Sequence, residues 1–156
     1  MNDTIELGGF GVRYMVRSEQ SGGGFALVEH PIAPRTLAAP LHTHEHEDEY
    51  TYVLNGEVGI QIGDEVTYAG PGELVAKPRG IAHAFWNRTD EPARVLEIIS
   101  PGGFEQYFAE LAPLLPPQRP EPDFAGLVAL QERYGVRMDM DSIGPISERE
   151  GLTLQG

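Results

Sequence analysis

An all-β barrel or sandwich followed by short helices is the fold class that this sequence predicts. Three observations lead there. Between residues 10 and 100, short runs alternate apolar and polar residues at period two. Turn formers separate those runs, and the 19 glycines and 13 prolines are spread along the chain rather than clustered. The runs recur about every 8–12 residues, the rhythm of a sandwich or closed barrel.

The elements follow in order. Phe10, Val12, Tyr14 and Val16 alternate with Gly11, Arg13, Met15 and Arg17, which predicts a strand. Ser21-Gly22-Gly23-Gly24 is a turn, and a second strand runs over residues 25–32. Pro31 and Pro34 argue against a central ladder at its end, and residues 33–40 read as a loop or irregular edge. Tyr50-Thr51-Tyr52-Val53-Leu54 is rich in β-branched and aromatic residues. Asn55-Gly56 follows it, a strong hairpin signal, with Val58, Ile60 and Ile62 alternating on the returning strand. Gly63-Asp64 suits a second tight turn, and residues 66–69, 73–77, 81–87 and 93–100 complete the strands. Phe104, Tyr107, Phe108 and Leu111 then fall on one face of a short helix that packs against the barrel. Five prolines between 113 and 122 make an extended connector. Residues 124–134 form a helix stopped by Gly135, and the last twenty residues are polar with little periodicity. The expected division is therefore residues 1–112, barrel and packing helix, and residues 113–156, a connector, helix and tail packed on the barrel or on a partner subunit.

Composition narrows the function classes. Eleven basic against 24 acidic residues give a net charge of −13, which repels phosphate backbones and disfavours nucleic acid as a partner. No apolar run reaches the roughly 20 residues of a membrane span, and Met1-Asn2-Asp3-Thr4 lacks a signal-peptide pattern. With no cysteine, thiolate metal sites and disulfides are excluded, and a cytoplasmic location is expected.

Chemistry concentrates in Leu41-His42-Thr43-His44-Glu45-His46-Glu47-Asp48-Glu49-Tyr50, which holds three of the five histidines. His42 and His44 point the same way from one strand end, and Glu49 opens the next strand beside them. His83 follows Pro78-Arg79-Gly80 and is placed to supply a third imidazole from across the barrel. Two or three imidazoles and a carboxylate suit a first-row divalent metal. Each has a plainer alternative as a surface or core residue. His30 reads as a satisfied core or surface histidine. His46 reads first as solvent-facing, with a supporting or alternate ligand role as the second option. Glu45, Glu47 and Asp48 read as a solvated acidic turn.

These two stretches resemble the motifs of the cupin family. His42-Thr43-His44, four residues, Glu49, six residues and Gly56 match the first motif. Gly72, Pro78, Gly80, His83 and Asn87 fall at the spacings of the second. The glycine that the first motif carries ahead of its histidines is Thr36 here, a scaffold position. The resemblance implies a double-stranded β-helix, the cupin jelly-roll barrel, with His42, His44, Glu49 and His83 as ligands to one divalent ion: iron, manganese, nickel, zinc or copper. Glu49 is also the candidate catalytic residue, as a general base if it loosens from the ion. By alternation Thr51 and Val53 share the face of Glu49, and Phe85 that of His83. These three are candidate substrate-binding residues, with plain core packing as their alternative. Ser100-Pro101-Gly102-Gly103-Phe104-Glu105, with Phe108 after it, is similar to small quercetin-dioxygenase-like cupins. That likeness implies oxidative cleavage of a small enolic or phenolic, flavonol-like substrate. A non-oxidative isomerase, lyase or hydrolase would use the same ligands, and a non-catalytic binding cupin would need no open coordination position. The family also implies a homodimer, with residues 10–17 and the C-terminal helix as candidates for the contact; the alternative for the segment beyond Pro122 is a lid folded over the barrel mouth.

Overall fold

The computed structural model describes residues 3–116 and 118–155. Two antiparallel sheets face each other. The strands of the first are β1 (Thr4–Leu7), β2 (Phe10–Val16), β3 (Ala26–Ile32), β5 (Asp48–Asn55), β8 (Leu74–Lys77) and β10 (Ala93–Ser100), hydrogen-bonded in the order β1-β2-β3-β10-β5-β8. The second sheet runs β11-β4-β9-β6-β7, built from β4 (Thr36–His44), β6 (Val58–Ile62), β7 (Glu65–Ala69), β9 (His83–Asn87) and β11 (Val136–Met138). A further short strand, β12 (Leu154–Gln155), pairs in parallel with the start of β4. Among the described residues, three α-helices lie in the last third: α1 (Tyr107–Leu111), α2 (Phe124–Tyr134) and α3 (Ile143–Glu150). No helix among the described residues is long and apolar enough to cross a membrane. The fold is thus mostly β with short C-terminal helices, as the alternation predicts.

Alternation sets the inner faces. In β10, Ala93, Val95, Glu97 and Ile99 are buried, and in β5 the buried residues are Glu49, Thr51 and Val53. All five residues of β9 are buried, because α3 covers its outer side. There Ile146 joins Leu37, Ala84 and Trp86 in a second apolar cluster. Gly59 makes this contact possible, since a Cβ on it would lie 2.2 Å from Trp86 Nε1.

Several local expectations are corrected. Asn55-Gly56 does not close a hairpin: β5 and β6 belong to different sheets, and the chain crosses between them here. Gly56 alone carries the positive φ, of 77°, and a Cβ on it would meet the Pro92 carbonyl oxygen at 2.9 Å. The Gly63-Asp64 hairpin is present, with Ile62 paired to Glu65. Residues 33–40 are not a loop throughout, because β4 begins at Thr36. Its register against β9 shifts twice, between Leu37 and Ala39 and between Ala39 and His42, and such bulges blur the period-two pattern. Pro31 does sit in an interior strand. It is opposite Gly11, whose missing side chain leaves space for the pyrrolidine ring. The last twenty residues contain α3 and β12. Gly144-Pro145 falls in the first turn of α3, where a proline loses no helical hydrogen bond. β2 is hydrogen-bonded on both edges within the chain, so it offers a face and not an edge to any partner.

Candidate metal centre

His42 and His44 stand two residues apart on β4 and share its inner face. His83 is the register partner of His42 on neighbouring β9. The third imidazole therefore comes from the adjacent strand, and the group arriving from across the barrel is Glu49 on β5. The ligand atoms of the four residues lie within 4.8 Å of one another, and all four residues are buried. The rings of His42 and His83 are 4.3 Å apart by centroid, and those of His42 and His44 5.1 Å. Glu49 Oε1 is 3.1 Å from His83 Nε2 and 3.5 Å from His44 Nε2.

Outer contacts orient two of these rings. His42 Nδ1–H donates to the Pro40 carbonyl at 2.8 Å, and His44 Nδ1–H donates to Glu47 Oε1 at 3.2 Å. Both bonds leave Nε2 as the lone-pair atom, the usual second contact of a metal-binding histidine. His44 Nε2 is buried with no hydrogen-bond partner. Burial, followed by the neighbouring imidazoles, pushes His42 well below the usual histidine range. Burial also holds His83 down, to about 4. Burial acts on His44 in the same direction, but the charges of Glu49 and Glu47 outweigh it and raise its pKa. Burial would lift Glu49, yet His44, Lys77 and His83 together draw it well below the usual carboxylate range. Two neutral imidazoles, an ionised carboxylate and an orphaned ring nitrogen fit a divalent cation. Such a cation would take the place of the proton that His83 Nε2–H shares with Glu49.

The cluster opens on a cavity of about 150 Å³ between the sheets and the C-terminal elements. Phe10, Phe85, Phe104 and Phe108 wall it, and Leu127 and Met140 contribute from α2 and from the turn after β11. Phe104 stacks edge-on against His44 at 4.4 Å. The face of Phe104, Tyr107, Phe108 and Leu111 therefore does more than pack on the barrel: it builds the wall of this cavity. Phe85 lines the cavity as alternation predicts. Thr51 and Val53 do not: Val53 lies in the core, and the Thr51 hydroxyl donates to Glu97 at 3.0 Å. His30 is on the wall, with its Nδ1–H bonded to the Gly11 carbonyl at 2.9 Å, while His46 is 62% exposed. Glu47 is not a solvated turn residue, since it is buried against His44. Asp48 turns outward and pairs with Arg79.

Sequence reading missed Lys77 and Glu97. Both are buried, and Lys77 Nζ donates to Glu97 Oε1 at 2.8 Å. Burial, with the charge of Glu49 in support, raises Glu97 to about 7 against the opposing pull of Lys77. The available signal was a charged residue at an inward register position, between Val95 and Ile99 in one case and after Val75 in the other.

Fold and site together define a jelly-roll barrel with a three-histidine, one-glutamate cluster, the cupin architecture. Residues 29–99, a little under half of the chain, match the family model of the cupin domain. Among solved structures, KdgF from Halomonas superposes with a TM-score of 0.60 at 17% identity, covering 67% of this chain and 91% of that one. A sugar phosphate isomerase of the cupin superfamily from Silicibacter pomeroyi aligns at 25% identity with a TM-score of 0.52, over 59% of each chain. A predicted oxalate decarboxylase from Thermotoga maritima aligns at 20% identity and TM-score 0.56, over 58% of this chain and 79% of that one. An uncharacterized protein of Streptomyces coelicolor is 38% identical over 55 residues, which are 35% of this chain. This chain spans about half the length of that curated relative.

Proposed function

We propose that this protein is a metal-dependent cupin enzyme acting on a small, uncharged, apolar substrate that presents an enol or phenol oxygen, with dioxygenation as the reaction. The observation that carries this reading is the buried His42, His44, Glu49 and His83 cluster opening into an aromatic cavity. Among the described residues, the cavity wall contains no lysine or arginine. Apart from the ion itself, a phosphate or a free carboxylate would find no lysine or arginine to pair with there, so an uncharged substrate suits this cavity better than the substrate classes named for the isomerase and decarboxylase neighbours. A cavity of about this volume lined by apolar side chains takes one benzene-sized ring. A single-ring substrate therefore fits better than a three-ring flavonol.

The four residues would hold iron, manganese, nickel, zinc or copper, and such an ion supplies Lewis-acid polarisation and, where redox-active, electron exchange with dioxygen. The chain's own groups do the rest. Phe85 and Phe104 hold the ring, and the apolar wall keeps bulk water from the reacting oxygen. Glu49 is ionised and is the nearest acceptor for the proton that leaves the substrate hydroxyl. Leu127 and Gln131 of α2 and Met140 of the turn after β11 line the cavity, so in this reading these parts of the segment beyond Pro122 serve as its lid. We further infer a homodimer, which sedimentation would test.

The deciding measurement is oxygen uptake by metal-analysed protein against single-ring catechols and enols, with flavonols as the comparison. Stoichiometric uptake with single-ring substrates supports the reading. Turnover without oxygen, or zinc as the sole native ion, would replace dioxygenation by isomerisation, lysis or hydrolysis at the same site. Glu49→Gln with metal retained and turnover unchanged would remove the base role.

A further inference from the structure

Lys77 and Glu97 form a buried ion pair that the proposed chemistry leaves unused. Their side chains are 0% and 2% exposed. A buried ion pair is often no more stabilising than apolar residues of the same volume, so its presence in a barrel core asks for another role.

Their placement indicates one. β8 and β10 flank β5 on the inner face of the first sheet. Lys77 is the register partner of Glu49, and Glu97 that of Thr51. The Lys77 ammonium reaches both carboxylates, at 3.8 Å from Glu49 Oε1 and 2.8 Å from Glu97 Oε1. Thr51 holds Glu97 by donating its hydroxyl at 3.0 Å to each carboxylate oxygen. The ammonium also lies 4.8 Å from the centre of the Phe85 ring, which carries no charge. Glu49 and Glu97 are thus the anions that the structure sets against it. An ammonium this near Glu49 repels any divalent cation sharing that carboxylate, and low-dielectric surroundings strengthen the repulsion.

We propose that Glu97 is a positioning residue for the metal centre: it cancels the charge of Lys77 and so keeps Glu49 able to accept a divalent cation. This rests on the metal reading of the cluster. Calorimetric titration of the metal-free full chain with Zn²⁺ and with Mn²⁺ at pH 8, where the Glu97 carboxyl is ionised, tests it. Glu97→Gln leaves the ammonium uncompensated and is expected to weaken binding by about 10–100-fold, the range for outer partners of metal ligands. Lys77→Met removes the repulsive charge and is expected not to weaken binding. The double variant K77M/E97L, an apolar pair in place of the ionic one, is expected to bind within about threefold of the parent. A purely packing role would instead weaken binding in both single variants. Unchanged affinity in E97Q, or equal weakening in K77M, overturns the proposal. If E97Q does not fold, K77M and the double variant decide it, because weakened binding in either one overturns it. Binding of neither ion by the parent protein would overturn the metal reading and this inference together, whereas tight parent binding with failed variants overturns this inference alone.

Discussion

The two sheets contribute opposite chemistry to one site. The second sheet delivers three imidazoles, two from β4 that are held by short-range contacts and one from adjacent β9. The first sheet delivers charge: Glu49 from β5, Lys77 from β8 and Glu97 from β10. The difference teaches how such a site is encoded. Two of the nitrogen donors come from local spacing, since His42 and His44 alternate on a single strand, and His83 joins them through its register with His42. The charges come from three strands laid side by side, which bring together residues 28 and 20 apart in sequence.

Tests can break this contrast from either side. The largest effect is expected on the imidazole side. Replacing both His42 and His83 with alanine removes two donors and should abolish measurable metal binding, as read by elemental analysis after dialysis, while the barrel remains folded. Next is the scaffold under that sheet. Gly59→Ala places a Cβ against the buried Trp86 ring and should cost about 1–3 kcal/mol, the usual range for overpacking, in urea denaturation. A smaller effect is expected from Glu47→Gln, which keeps shape but weakens the brace on His44. Metal affinity should fall about tenfold with melting temperature nearly unchanged, and an unaffected affinity would remove Glu47 from the centre.

A last test concerns pH. Burial holds His30 and His83 neutral in the fold down to about 4, whereas the unfolded chain takes up their protons near 6.5. Depressed folded pKa values mean that the unfolded state binds more protons in this window, so these two groups make stability fall as pH drops from about 6.5 to about 4. Thermal melts of metal-free protein at pH 7 and pH 5 should show the loss. His30→Gln should flatten the slope in part, and an unchanged slope would mean that His30 is not held neutral.

Much of the fold was legible in the sequence, and the reasons are local. The β2 pattern from Phe10 to Val16, the Gly63-Asp64 hairpin and the α2 stop at Gly135 each depend on neighbouring residues. The spacings around His42, His44, Glu49 and His83 were readable too, and the structure brings those four together. What escaped was tertiary. Asn55-Gly56 has hairpin chemistry, but the two strands it joins pair with other partners. β11 has three residues, too few for a period, and forms because β4 offers it an edge. Thr51 faces inward as alternation says, yet whether an inward residue meets a cavity or a carboxylate depends on the opposite strand.

β4 has a further consequence. Its ligand-bearing end is bonded along one side to β9 and along the other to β11, where Val136 lies opposite His44 and Met138 opposite His42. The bracing continues past the strand ends, with Glu45 N–H on the Gly135 carbonyl and Asp139 N–H on the Leu41 carbonyl, each at 2.8 Å. Occupancy of the centre should therefore be audible some ninety residues downstream: on addition of a divalent ion, deuterium uptake at the β11 amides should slow, although no residue there is a ligand.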